Sequence, residues 1–160
     1  MESQSAVIEK PSIDGGDRPV ELPSRVLGRT GECVPILGFG TAPGGMGLSD
    51  EEAIALIHWA IDLGVTYVDT APGYGRAHVQ LGEVMAKRRE EVFLVTKTGA
   101  DDAEKALEIL EQSLKDLQTE QVDLTYVHSL GNRDVDRVLA PDGSLAGLRE
   151  AQRRGWTRYV

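Results

Sequence analysis

One cysteine, Cys33, in 160 residues leaves no partner for an internal disulfide. The start of the chain also lacks the charged, apolar and small-residue blocks of a secretion signal, so a reducing cytoplasm is the expected compartment. No stretch approaches the ~18 consecutive apolar residues of a membrane-crossing helix, which removes a membrane role from the reading. Basic residues are in short supply, with 17 Lys and Arg against 26 Asp and Glu and a formal charge of −9. Such a chain repels phosphate backbones, and apart from Lys87-Arg88-Arg89 its cations are scattered, so no nucleic-acid partner is expected. Nowhere do His, Cys, Asp and Glu take a metal-ligand spacing, and no metal is expected.

What is present describes a domain of ordinary size, 41% hydrophobic and 27% charged. Residues 1–21 mix Ser, Gly, Asp, Glu, Lys and Pro without an apolar period and read as a mobile leader, leaving residues 22–160 as the domain. Residues 22–27 and 33–37 flank Gly28-Arg29-Thr30-Gly31, a glycine-bounded connection that predicts a β-hairpin. Cys33 is expected to pack within it, since no basic cluster nearby favours a thiolate.

Beyond the hairpin two kinds of segment alternate. Near-continuous apolar runs at 36–40, 65–69, 92–96, 122–127 and 156–160 read as strands of a parallel sheet. Between them lie helical patterns. Ser49 with Glu52 forms a capping box ahead of Ala53, Ile54, Leu56, Ile57, Ala60 and Ile61, and Gly64 stops the run. Residues 103–117 place Ala106, Leu107, Leu110, Leu114 and Leu117 on one face, and 80–89 and 145–154 are shorter amphipathic candidates. The strand starts are separated by 29, 27, 30 and 34 residues, the period of consecutive βαβ units.

The fold class is therefore α/β, in one of two forms. A doubly wound sheet binding a dinucleotide is suggested by Gly38-Phe39-Gly40, but Pro43 stands where the third glycine is required, and the next helix is expected only near Asp50. A phosphate loop is missing as well, because Gly40 is followed by Gly45 and then Met46. A TIM-type (β/α)8 barrel needs roughly 250 residues. On that reading this chain holds the first half, four units and the opening of a fifth strand.

In such barrels the chemistry sits at the C-terminal ends of the strands. Asp69 closes the second main strand, Lys97 the third and His128 the fourth, and Tyr74 lies in the Pro-Gly loop after Asp69, so the four converge on one rim. Gly38-Phe39-Gly40-Thr41, Asp69-Thr70-Ala71-Pro72-Gly73-Tyr74-Gly75, Leu81-Gly82, Thr96-Lys97 and Val127-His128 together resemble the motifs of the aldo-keto reductases, in their order and at similar spacing. Where members commonly carry Ser-Glu after Tyr-Gly, this chain has Ala77-His78.

The resemblance implies NADPH-dependent reduction of an aldehyde or ketone, with Tyr74 as proton donor, Lys97 lowering the barrier to that donation, Asp69 as the counterion of Lys97, and His128 orienting the carbonyl. It further implies that Gly40, Thr41 and Asp69 border the nicotinamide. In the family the later strands supply the carboxamide contacts, an aromatic stack and the basic loop that grips the adenosine phosphate. The chain is accordingly expected to be an aldo-keto reductase fragment inactive on its own. The alternatives are a non-catalytic half-barrel that self-associates or binds a partner through its open edges, and a regulatory module on a reductase scaffold. Inward side chains such as Val68, Leu94, Val95 and Leu124 are expected to be exposed in a half-barrel, favouring association. His58, beside Trp59, reads as a surface or packing residue.

Overall fold

A computed structural model describes residues 22–160; the leader expected over residues 1–21 lies outside them. Strands β1 (Ser24–Val26) and β2 (Cys33–Pro35) form the antiparallel hairpin, with Gly28 and Gly31 both at positive φ in the turn. The Thr30 hydroxyl fastens that turn by donating to the Leu27 carbonyl at 2.6 Å. Within this ribbon Val34 is buried and Cys33 is exposed, which corrects the expectation that Cys33 packs. Side chains alternate along a strand, and Val34 takes the inward position.

The main sheet runs β3 (Gly38–Gly40), β4 (Tyr67–Asp69), β5 (Phe93–Thr98), β6 (Val122–Val127) and β7 (Thr157–Tyr159), every strand parallel to its neighbour and in chain order. This is the strand–helix succession of a (β/α)8 barrel, present over five strands. The connecting helices are α1 (Ala42–Gly47), α2 (Asp50–Asp62), α3 (Ala77–Arg88), α4 (Ala103–Asp116), α5 (Val135–Leu139) and α6 (Ser144–Arg153).

The sequence explains most of these boundaries. Helix α2 opens on the capping box, Ser49 Oγ accepting from the Glu52 amide at 3.2 Å and Glu52 accepting from the Ser49 amide at 3.0 Å. It stops before Gly64 at φ +84°. Asp102 caps α4 by accepting from the Lys105 amide at 2.8 Å, and Ala106, Leu110, Leu114 and Leu117 are buried as the periodicity requires.

Helix α1 departs from expectation, because a helix begins at Ala42, directly after β3, rather than at Asp50. Pro43 lies in its first turn, where a fixed φ helps and a missing N–H costs nothing. Six residues are too few to register as a period. Helix α5 was equally invisible; Asp134 caps it by accepting from the Asp136 amide at 3.0 Å.

The helices cover one face of the sheet. Val68 and Leu94 point into that layer and are buried against Leu81, Met85 and Leu110. Val95 and Leu124 lie on the opposite face and are buried too, so the expectation that these four side chains stand exposed is corrected. The rings of Tyr67 and Phe93 stack on that opposite face at 5.5 Å, and the turn residues 27–30 border the same hollow as Leu124, Tyr126 and Tyr159. Tyr126, 41% exposed, is what remains uncovered there.

The hairpin is tied to the last strand. Tyr159 Oη donates to the Thr30 carbonyl at 3.1 Å and to Glu32 at 2.8 Å, and Arg158 pairs with Glu32. Arg158 also meets Asp123 of β6 at 2.8 Å. Asp123 is buried and accepts in addition from Arg89 at 2.8 Å and from the Leu94 amide at 2.7 Å.

Candidate active site

Parallel register carries the strand exits to one edge. Gly40 lies beside Asp69, Asp69 beside Val95, and Lys97 beside Tyr126, while the His128 amide donates to the Thr98 carbonyl at 2.8 Å. Lys97 Nζ donates to Asp69 Oδ1 at 2.5 Å and to the Thr70 carbonyl at 2.9 Å, and its side chain is only 12% exposed. The same ammonium sits 4.9 Å from the centre of the Tyr74 ring. His128 meets the Tyr74 ring edge-on, with centroids 5.8 Å apart and planes at 84°. Asp69, Tyr74, Lys97 and His128 are thus brought together, as the sequence predicts.

Tyr74 owes its place to contacts on both sides of its loop. Its amide donates to Ala71 at 3.1 Å, and Gly75 follows at φ +59°. The Arg76 amide donates to the Gly45 carbonyl at 2.9 Å, and the Arg76 guanidinium grips Asp50 with bonds of 2.8 and 2.6 Å. Arg76, with Gln80, holds the Asp50 carboxyl down to about 2. Helix α1 comes so close that a Cβ on Gly45 would stand 2.1 Å from the Tyr74 carbonyl oxygen and 2.6 Å from Ala77 Cβ. Gly45→Ala is therefore expected to destabilise the chain by about 2 kcal/mol, the usual cost of overpacking, as denaturant unfolding would show.

Gly40 leaves bare backbone at the rim, with nothing within 4 Å of where a Cβ would be. Thr41 is buried, and both its amide, at 3.0 Å, and its hydroxyl, at 3.1 Å, donate to the Asp69 carbonyl. Its hydroxyl thereby fixes the backbone of Asp69.

Burial holds the His128 imidazole below its ordinary range, the positive charges of Lys97 and Arg133 push it the same way, and Asp69 opposes them. The ring is neutral at pH 7 and can donate one N–H. Tyr67, one residue-pair below Asp69 on the same face, has its phenol raised by burial and by its hydrogen bond with Tyr126, so it stays protonated.

His78 is buried behind the site and bonds Thr96 Oγ1 at 3.2 Å. Burial pushes it down to about 4, with Lys97 adding to the shift and Asp116 opposing it. Unfolded, the same ring titrates near 6.5. Between those values the unfolded chain binds the extra proton, so stability is intact above pH 6.5 and falls as the pH drops towards 4, by about 3 kcal/mol. Urea unfolding across that window checks this, and His78→Gln should remove most of the slope.

Several contributors carry no sequence signal. Arg133, Gly45 and the Arg76–Asp50 clamp act on backbone or on residues distant in sequence. Half-buried His58 receives the Arg88 guanidinium on its carbonyl at 3.2 Å, which is a packing role. Among the described residues no three His, Cys, Asp or Glu side chains gather as metal ligands, and no helix is long and apolar enough to cross a membrane.

Comparison with known proteins points to one family. Methylglyoxal reductase DkgA of Salmonella typhimurium is 35% identical over 109 residues, covering 66% of this chain and 38% of its own length. A Pseudomonas aeruginosa structure assigned as an aldo-keto reductase superposes with a TM-score of 0.77 at 35% identity, over 89% of this chain and 60% of that one. A Bombyx mori aldo-keto reductase in complex with NADP superposes at 0.69 with 27% identity, over 87% of this chain and 49% of the other. The chain thus spans between about a third and three fifths of these relatives. The Aldo/keto reductase family model matches residues 36–160, more than half the sequence, and the chain belongs to that family.

Proposed function

We propose that this chain carries the proton-transfer half of an NADPH-dependent aldo-keto reductase acting on small aldehydes or ketones. The observation that supports this most is the single cluster in which the Lys97 ammonium bonds Asp69 at 2.5 Å and lies 4.9 Å from the Tyr74 ring, itself in edge contact with His128.

When bound, the dinucleotide supplies hydride to the carbonyl carbon. The carbonyl oxygen gains negative charge as this happens, and a positioned acid must meet it. Tyr74 Oη gives the proton, and the adjacent ammonium of Lys97 stabilises the phenolate left behind. Asp69 and the Thr70 carbonyl hold that ammonium in place beside the ring. His128, neutral, donates its N–H to the carbonyl oxygen and orients it.

Bare backbone at Gly40 beside Asp69 fits the flat face of a nicotinamide, and Thr41 fixes that approach through the Asp69 carbonyl. These residues would hold the ring end of the cofactor. Preference for NADPH rests on the likeness to the NADP-bound Bombyx mori protein. Exposed Cys33 suits a reducing compartment, and a cytoplasmic setting is proposed on that ground.

The barrel is the proposed catalytic unit, and the isolated chain is expected to be inactive. A second reading is a non-catalytic half-barrel that associates with itself or a partner. It draws on the outer edges of β3 and β7, which pair with no further strand among the described residues, and on the exposed ring of Tyr126. One experiment separates the two. NADPH oxidation with methylglyoxal is followed for the chain alone and for the chain joined to the part of DkgA it does not cover. Turnover in the joined protein supports the reductase. A joined protein that folds and binds NADPH without turning over overturns that reading.

A further inference from the structure

Arg133 makes contacts that the chemistry above leaves unexplained. Its Nε donates to the His128 carbonyl at 2.7 Å and its Nη2 to the Gly99 carbonyl at 2.7 Å. Its Nη1 pairs with the Asp101 carboxylate and reaches towards the Ala100 carbonyl at 3.5 Å. These acceptors belong to the exits of β5 and β6, the strands that end in Lys97 and His128. Since the His128 amide already donates to Thr98, both backbone polar groups of His128 are anchored to the β5 exit.

The turn between His128 and Arg133 is unusual in its own right. Ser129 sits at φ +55°, a left-handed conformation that a residue with a side chain takes only when its surroundings impose it. The Asn132 amide donates to Ser129 at 2.9 Å and the Arg133 amide to Leu130 at 3.1 Å, closing a short turn that brings the guanidinium back to the histidine. A planar fork with several donors in fixed directions serves two carbonyls and a carboxylate at once, and a lysine does not.

We propose that Arg133 is a positioning residue for His128, its guanidinium fixing the β6 exit against the β5 exit so that the imidazole stays in contact with Tyr74. This inference rests on the reading of His128 as the group that orients the carbonyl.

The test is made on the 160-residue chain by NMR, where three histidines give a tractable set of imidazole signals. The charged groups acting on the His128 ring are Lys97, Arg133 and Asp69. In Arg133→Ala, one repelling charge is lost, and the His128 titration midpoint is expected to move upward while those of His58 and His78 stay. Hydrogen exchange at the His128 amide is expected to speed up about tenfold or more as the two exits come apart. In Arg133→Lys the charge stays, so the midpoint holds while exchange still quickens.

A folded Arg133→Ala protein with wild-type midpoint and wild-type exchange would overturn the proposal. If Arg133→Ala does not fold, Arg133→Lys decides alone, with unchanged exchange counting against it. Neither readout requires turnover. Failure to find carbonyl reduction would therefore strike the functional reading, and unchanged NMR behaviour would strike the role of Arg133.

Discussion

Tyr74→Phe is expected to lower carbonyl reduction by about 10³-fold in the barrel completed with the remaining strands of DkgA, a loss typical of removing a general acid. The change deletes one oxygen and keeps the ring that packs against Lys97 and His128. NADPH affinity and unfolding midpoint should therefore stay near those of the parent protein. Steady-state rates of NADPH oxidation, read beside cofactor binding by fluorescence, provide the check. Turnover within a few-fold of the parent would remove Tyr74 from the proton-transfer role and leave His128 and Lys97 as the donors at the rim.

The second large effect is on stability and lies at the other end of the strands. Asp123 is buried and receives Arg89, Arg158 and the Leu94 amide, so one carboxylate joins β5, β6 and β7. Truncation to alanine leaves the Leu94 N–H without an acceptor and the partly buried Arg89 guanidinium without its counterion, held only by the Gln121 and Val92 carbonyls at 3.0 and 2.8 Å. Such loss of one member of a buried pair costs about 3 kcal/mol or more. For a domain of this size the melting temperature should fall by on the order of 10 °C. Asp123→Asn, which keeps an acceptor oxygen for the Leu94 amide, should cost less. Calorimetry or urea unfolding of both variants checks the ordering, and an alanine variant within about 0.5 kcal/mol of the parent would show that the network adds little.

The sheet was legible in the sequence because each strand is a short apolar run at a regular interval. The rim was legible because parallel strands deliver their last residues to one edge, so that Asp69, Lys97 and His128 could be placed without knowing any distance. Helices α1 and α5 were not, since six and five residues span too little to show a period. The burial of Val95 and Leu124 also escaped prediction. All four of Val68, Leu94, Val95 and Leu124 were read as inward, whereas Val68 and Leu94 face the helices, and the rings and hairpin turn that border Val95 and Leu124 come from other parts of the chain. Arg133 and Gly45 escaped for a different reason, because both act on backbone atoms, and a carbonyl leaves no mark in the order of side chains.

The bond between Tyr159 and Thr30 spans 129 residues, whereas each strand of the main sheet pairs with the one synthesised just before it. Nearest-neighbour pairing lets the sheet assemble progressively as the polypeptide leaves the ribosome, each unit docking on a finished predecessor. The hairpin, made first, must wait for the final strand to be secured, and closing so large a loop comes last. Ribosome-stalled chains ending before residue 157 should therefore show a protected sheet and an unprotected hairpin.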